Sequence, residues 1–266
     1  MKNSPKAIFF DIDGTLITGG RGPFADDLET MNETSAKGNF LFVNTGRSFA
    51  NIPDSIMKLP LWNGIVAGGG AHILMKEESG GTAYKTIYRK WVDEKYLAEV
   101  CAWYLEMKKQ LILEGENNCY VICPSSRKFC EHPVKIINCA EEISGYCKND
   151  FITKLTMADI SGAEERNLLE KIFRINVFPT YAEAIIAGEN KARGMAVVLE
   201  AIGLKREDSI AIGDSVNDLD MIRWAGLGVA MGNAEDEVKA AAGEITASCG
   251  EGGIADMLRK YVLNSV

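Results

Sequence analysis

Two acids two residues apart open the chemistry of this chain. In "AIFFDIDGTL" the apolar run Ala7–Phe10 leads straight into Asp11 and Asp13, with Gly14 next. Further on, Asp214 closes "SIAIGD", Thr45 and Gly46 follow "FLFVN", and Lys191 follows "AIIAGEN". Asp11 and Asp13 alone also suit a simple turn; the matching polar residues after other apolar runs weigh against that reading. Carboxylates gathered from separate segments repel one another and resist joint ionisation. A divalent cation resolves the conflict, and Mg²⁺ takes hard oxygen ligands while bridging carboxylates to a phosphate. The Thr45 hydroxyl, the Gly46 N–H and the Lys191 ammonium then form a phosphate cradle facing the metal. A carboxylate can attack phosphorus to give an aspartyl-phosphate. A second acid beside it can protonate the departing oxygen and later take a proton from water. Asp11 and Asp13 thus read as nucleophile and general acid–base of a phosphoryl transfer, with metal and cradle supplying the electrostatic stabilisation.

These groups meet only if the elements carrying them end side by side. Ala7–Phe10, "NFLFVNTGR" and "GIVAGGG" read as buried strands, separated by helices at Phe24–Lys37 and Asn51–Leu59. That β–α–β–α–β rhythm predicts a parallel, doubly wound sheet covered by helices, and such sheets bind ligands beyond the carboxyl ends of their strands. The rhythm then changes. "TAYKTIYRKW" alternates like a half-exposed strand, Asp93–Lys109 reads as an amphipathic helix, and further strands with one more helix follow as far as "INVFPTY". This predicts an open α+β domain at about 83–182. From "AEAIIAG" the buried style returns, through "NKARGMAVVLEAIGL", "DSIAIGD", "SVNDLDMIRWAG" and "LGVAM". The expected organisation is a core of residues 1–82 and 183–266 interrupted by an inserted domain.

At 266 residues, 47% hydrophobic and 25% charged, the chain has the balance of a soluble two-domain protein. No stretch approaches the roughly 18 apolar residues of a membrane helix, and the N-terminal apolar run is too short for a secretory signal. A cytoplasmic location with reduced thiols at the seven cysteines is the expectation. Cys119, Cys123, Cys130 and His132 fit no common zinc spacing. The net charge of −8 argues against a nucleic-acid surface, though not against an anionic metabolite met by a metal and a few placed cations. Gly68–Gly70 and "GLGVAMG" do not complete a dinucleotide fingerprint, and there is no P-loop. Arg47 is read as pairing with an acid of the core. The sequence is silent on oligomeric state.

"DIDGTL", "NTGR", "NKARG" and "IGDSVNDLDM" resemble, in order, the four motifs of the haloacid dehalogenase-like phosphatases. "GVAMGNAEDEVKAAA" and "GEGGIADML" are similar to the Cof-like branch, whose α+β (type IIB) cap is inserted between the second and third motifs. The resemblance implies a Rossmann-like α/β core and a Mg²⁺-dependent phosphatase of small phosphorylated metabolites such as sugar phosphates, with the cap setting the substrate. It implies Asp11 as nucleophile and metal ligand, and Asp13 as acid–base that also gives the metal its main-chain carbonyl. Thr45 and Lys191 would hold the phosphoryl oxygens, Asp214 the metal, Asn217 the substrate phosphate, and Asp218 would orient the metal shell. Three positions depart from the pattern: Ala192 for glycine, with Gly194 expected to restore flexibility; Ser215 for glycine; and Gly69 for asparagine, with loss of one polar contact. Two other uses of the same chemistry remain. A phosphohexomutase returns the phosphate to a sugar. A receiver-like binding module keeps it, but such modules are much shorter and lack the second acid.

Overall fold

The computed structural model of the chain describes residues 4–19, 22–77, 83–126, 130–148 and 150–264. Along it run β1 (Ala7–Phe10), α1 (Ala25–Ala36), β2 (Phe40–Asn44), α2 (Asp54–Met57), β3 (Gly64–Ala67), β4 (His72–Lys76) and β5 (Tyr84–Arg89). Then come α3 (Glu94–Glu106), β6 (Leu111–Glu114), β7 (Cys119–Ile122), β8 (Lys135–Ile137), α4 (Glu142–Cys147), β9 (Lys154–Met157), α5 (Ala163–Leu169), β10 (Phe173–Val177) and β11 (Ala182–Ile186). The last part holds α6 (Lys191–Ile202), β12 (Ser209–Gly213), α7 (Leu219–Trp224), β13 (Leu227–Ala230), α8 (Asp236–Ala241), β14 (Glu244–Ile245) and α9 (Gly253–Leu258). None of the described helices is long and apolar enough to cross a membrane.

The chain forms two compact units. The first takes the chain up to Gly46, Asp54–Tyr88 and everything from Asn190 on; the second takes Arg47–Pro53 and Arg89–Glu189. The first unit is built on a sheet in the order β14-β13-β12-β1-β2-β3-β4-β5. From β14 to β3 its pairs are parallel, and β3–β4 is antiparallel. Strands β1 and β12 are buried at every position, which is why the apolar residues Ala7–Phe10 and Ile210, Ala211 and Ile212 follow one another rather than alternate with polar ones. Phe9 stacks on Phe42 at 4.9 Å between ring centres. Met195, Val198 and Leu199 of α6 join Met221 and Ile222 of α7 in the apolar layer over the sheet. Asn190 caps α6 by accepting the Arg193 N–H, and Gly203 ends it in the left-handed region at φ 70°.

The second unit holds a sheet in the order β10-β11-β9-β6-β7-β8, antiparallel except for β7–β8. Asp93 caps α3 by accepting from the N–H groups of Lys95 and Tyr96. At the crossings the strands lie the other way from the sequence reading. β5 joins the first sheet, and β11 pairs with β10 and β9 in the second. An apolar run of this kind records burial, and burial does not say in which sheet. The helix expected over Asn51–Leu59 shortens to α2, because a 3₁₀ turn occupies Phe49–Asn51 and Pro53 has no N–H for an earlier turn. Segments β8 and α4 carry no clear periodicity, and the sequence reading passed over them.

Candidate active site

Register brings the polar ends together. Phe10 of β1 stands opposite Ile212 of β12 on one side and Val43 of β2 on the other. The chain beyond each strand therefore leaves the sheet at the same edge. Asp11 continues the ladder by donating its N–H to Ile212 O at 3.0 Å, and Thr45 does so by donating to Val66 O at 2.8 Å. Lys191 is the first residue of α6, buried to 2% exposure.

The Lys191 ammonium is the centre of the site. Its Nζ donates to Asp11 Oδ1 at 2.6 Å, Asp218 Oδ1 at 2.5 Å and Asn217 Oδ1 at 3.3 Å. Asp218 is fully buried, and its other oxygen accepts the N–H groups of Asp214 and Ser215 at 2.9 and 3.0 Å. That pair of bonds shapes the turn carrying Asp214. One oxygen from each of Asp11, Asp214 and Asp218 lies within 4.8 Å of the others. The acids that sequence reading placed far apart along the chain thus come within joint reach of a single ion.

Asp13 lies differently. Its side chain is exposed and falls outside that carboxylate group, although only one residue separates it from Asp11. The acid–base role expected of Asp13 calls for such access. Asp218, expected only to orient the metal shell, is a member of the cluster by distance. Both its oxygens are already engaged by Lys191 and by two main-chain N–H groups, so it suits an orienting role better than ligation.

Crowding sets the electrostatics. Burial, then the charge of Asp218, push the Asp11 carboxyl well above its usual range, and Lys191 opposes them. Burial and Asp218 push Asp214 up to about 7, against the pull of Lys191 and a hydrogen bond from Thr15. Burial lowers Lys191, but Asp11 and Asp218 more than offset it and hold the ammonium above the ordinary lysine range. Here two buried acids, Asp11 and Asp218, share one buried cation, with the half-buried Asp214 close beside them. A divalent ion fits this donor set: hard oxygens, close together, hard to ionise without added positive charge.

Several site residues were not singled out from sequence. Thr15 Oγ donates to Asp214 Oδ1 at 3.3 Å. Asn233 Nδ2 donates to Gly14 O at 2.9 Å, tying the first acidic loop to the segment after β13. Asn44, fully buried, donates to the Lys191 main-chain O at 3.2 Å and to Met221 Sδ at 3.3 Å. The one signal for it was an amide ending an otherwise apolar strand.

Two of the three departures, and the glycine expected to compensate for the third, also find their places. Ser215 Oγ donates to Asn217 Oδ1 at 2.9 Å. Gly69, at φ 62°, donates its N–H to Thr45 O at 3.0 Å. Gly194 supplies close packing instead of flexibility: it sits inside α6, where an added Cβ would fall 2.3 Å from Val66 Cγ1. Arg47 does pair with an acid, but the partner is Glu131 of the second unit, at 2.8 Å.

Comparison with known proteins agrees with this geometry. Residues 8–258 match the family model for haloacid dehalogenase-like hydrolases. The chain is 28% identical over 259 residues to 5-amino-6-(5-phospho-D-ribitylamino)uracil phosphatase YcsE of Bacillus subtilis, covering 97% of this chain and 96% of that one. It is 27% identical to the Bacillus subtilis phosphatase YitU of the same name, covering 98% and 99%. Among solved structures, the subclass IIB sugar phosphatase BT4131 superposes with a TM-score of 0.80 at 29% identity, covering 96% of this chain and 98% of that one. With its four motifs gathered at one sheet edge and its α+β unit inserted between the second and third, the chain belongs to the haloacid dehalogenase-like hydrolases, as a Cof-like phosphatase.

Proposed function

We propose that the chain hydrolyses a small phosphorylated metabolite, of the sugar- or sugar-alcohol-phosphate class, through an aspartyl-phosphate on Asp11 and with Mg²⁺ as cofactor. The observation that carries this reading is the meeting of Asp11, Lys191, Asp214 and Asp218 from three distant segments. The substrate class is supported by relatives named for a phosphoribitylamino compound and for a sugar phosphate.

Asp11 and Asp214 would hold Mg²⁺ through their carboxylates and Asp13 through its main-chain carbonyl. Bound there, Mg²⁺ supplies the positive charge that keeps buried carboxylates ionised and offsets charge on a phosphoryl group. The protein's own groups do the rest. Lys191 holds the Asp11 carboxylate in one orientation, and the N–H now given to Asn217 Oδ1, the longest of its three bonds, is the one to turn to a phosphoryl oxygen. The Thr45 hydroxyl and Gly46 N–H hold the others, and Asn217 meets the substrate phosphate. An Asp11 oxygen attacks phosphorus while the P–O bond to the leaving group breaks, and Asp13 gives that oxygen its proton. Asp13, now ionised, takes a proton from the water that attacks the aspartyl-phosphate. Phosphate leaves and Asp11 returns to a carboxylate.

The test is phosphate release by purified protein with Mg²⁺ from an aryl phosphate and a panel of pentose, hexose and ribityl phosphates. Release that stops with EDTA and in Asp11→Asn is the expected result. Recovery of isomerised sugar phosphate in place of free phosphate, or no turnover across the panel, would overturn the reading.

A further inference from the structure

Ser215 follows Asp214 in the turn that leads to Asn217, at a position where the resemblance calls for glycine. Its main chain is firmly held. The Ser215 N–H donates to Asp218 Oδ2 at 3.0 Å, and the Ser215 carbonyl accepts the Asp218 N–H at 2.8 Å. A glycine would keep both bonds. What the serine adds is a hydroxyl, and that hydroxyl donates to Asn217 Oδ1 at 2.9 Å. These residues and Lys191 all lie in the first unit.

Asn217 Oδ1 is thus shared by two donors, Ser215 Oγ and, at 3.3 Å, Lys191 Nζ. An ammonium carries donors only. The end of the amide that faces Lys191 is therefore the oxygen, and Nδ2 is the end left to donate elsewhere. Of the two bonds on this oxygen, the one from Lys191 is the longer. Lys191 gives its two shorter bonds to Asp11 and Asp218. A phosphoryl group that draws the third N–H away removes one of the two donors fixing the amide. Without the hydroxyl, neither donor would then hold the oxygen, and the amide could turn over. Its oxygen would meet the phosphoryl oxygens, acceptor against acceptor, and a hydrogen bond would be exchanged for a repulsion. With the hydroxyl in place the oxygen stays occupied, and Nδ2 stays available as a donor.

We propose that Ser215 is a positioning residue for phosphate binding: its hydroxyl keeps the Asn217 oxygen turned toward Ser215 and Lys191, so that Nδ2 meets a phosphoryl oxygen while Lys191 turns its third N–H to the same group. This rests on the reading of Asn217 as a phosphate-binding residue.

The experiment measures the binding of inorganic phosphate to the full-length protein with Mg²⁺ by calorimetry, a readout that needs no turnover. It compares wild type, Ser215→Ala, Asn217→Ala and the double variant. Ser215→Ala should weaken binding about fivefold, the size of one neutral hydrogen bond, and raise the KM for an aryl phosphate to match, with kcat changed much less. Asn217→Ala should weaken binding about tenfold, and adding Ser215→Ala to it should weaken it no further, because a residue that acts through Asn217 then has nothing to hold. Ser215→Gly carries the same test if Ser215→Ala fails to fold. Ser215 also opens the 3₁₀ turn Val216–Asp218, so some loss of melting temperature is expected on that count alone. A lowered melting temperature with wild-type phosphate affinity would reduce the hydroxyl to a cap and overturn the proposal. Equal weakening by Ser215→Ala with and without the Asn217 side chain would overturn it too. If Asn217→Ala leaves phosphate affinity unchanged, Asn217 itself is misread and this inference falls with it. No phosphate binding by wild type would count against the phosphate site as a whole.

Discussion

Lys191 Nζ lies 2.6 Å from Asp11 Oδ1, a contact between residues 180 apart in sequence and both nearly inaccessible to water. Each makes the other tolerable where it sits. A lone buried ammonium or carboxylate would lose its charge, whereas together, with Asp218 on the same nitrogen, they remain an ion cluster. Because three acids surround one cation, the cluster carries excess negative charge until a further cation or a proton joins it.

Asp11→Asn should therefore separate chemistry from folding. The amide still accepts from Lys191, and one contributor to the crowding is gone. We expect the melting temperature without metal to be unchanged or higher, while phosphatase turnover falls by at least about 10³-fold because the proposed nucleophile is lost. Phosphate release and thermal melting on the same preparation check this. A variant that keeps a tenth of the wild-type rate would remove Asp11 from the mechanism.

Lys191→Met should behave in the opposite way. It leaves Asp11 and Asp218 buried with no cation, and breaking a buried pair by removing one partner costs about 3–5 kcal/mol. For a chain of this size that is about 2–4 °C per kcal/mol. Added Mg²⁺ should recover more of the lost melting temperature in this variant than it adds to wild type. Equal gains in both proteins would mean that Lys191 does not share the site with the metal.

The part of this arrangement legible in the sequence is the part where chemistry is local. Asp11 and Asp13 announce themselves at the end of one apolar run, and Asp214 and Asp218 at the end of another. Lys191 is different: alone it reads as a solvated surface charge, and only its place among ordered motifs marked it. Asn44 and Asn233 were passed over because their work is done on main-chain oxygens of residues that sequence distance hides. The exchange of Arg47–Pro53 into the second unit leaves no sequence trace, since its anchors Glu114 and Glu131 lie more than sixty residues on. Likewise the apolar pattern of β11 records burial and is blind to which sheet provides it.

The excess negative charge has a pH signature. Burial and Asp218 hold the folded-state pKa of Asp214 at about 7, above its ordinary value of 3.8. The folded protein therefore binds more protons than the unfolded chain between these values, and stability falls as pH rises across that window. In EDTA, the difference in melting temperature between wild type and Asp214→Asn should favour wild type near pH 4 and decline steadily toward pH 7. Saturating Mg²⁺ should abolish the decline, since it takes the ionised form. A difference independent of pH in EDTA would contradict the burial argument.

Gly14 tests how tightly the first acidic loop is fitted to the second. It sits at φ +80°, where L-residues are strained, and a Cβ built on it would lie 2.1 Å from Asp214 Oδ2. Its carbonyl meanwhile accepts from Asn233 Nδ2, so the loop cannot swing away without breaking that bond. Asp214 is thus the group that must yield. Gly14→Ala should cost about 1–3 kcal/mol in backbone strain and, separately, weaken Mg²⁺ activation by moving the Asp214 carboxylate. The two effects come apart by titrating Mg²⁺ against both activity and melting temperature. We expect the half-saturating Mg²⁺ concentration to rise about tenfold or more, with residual activity recovered at high Mg²⁺. A variant destabilised to the same degree but with an unchanged Mg²⁺ requirement would show that Asp214 takes no part in holding the ion.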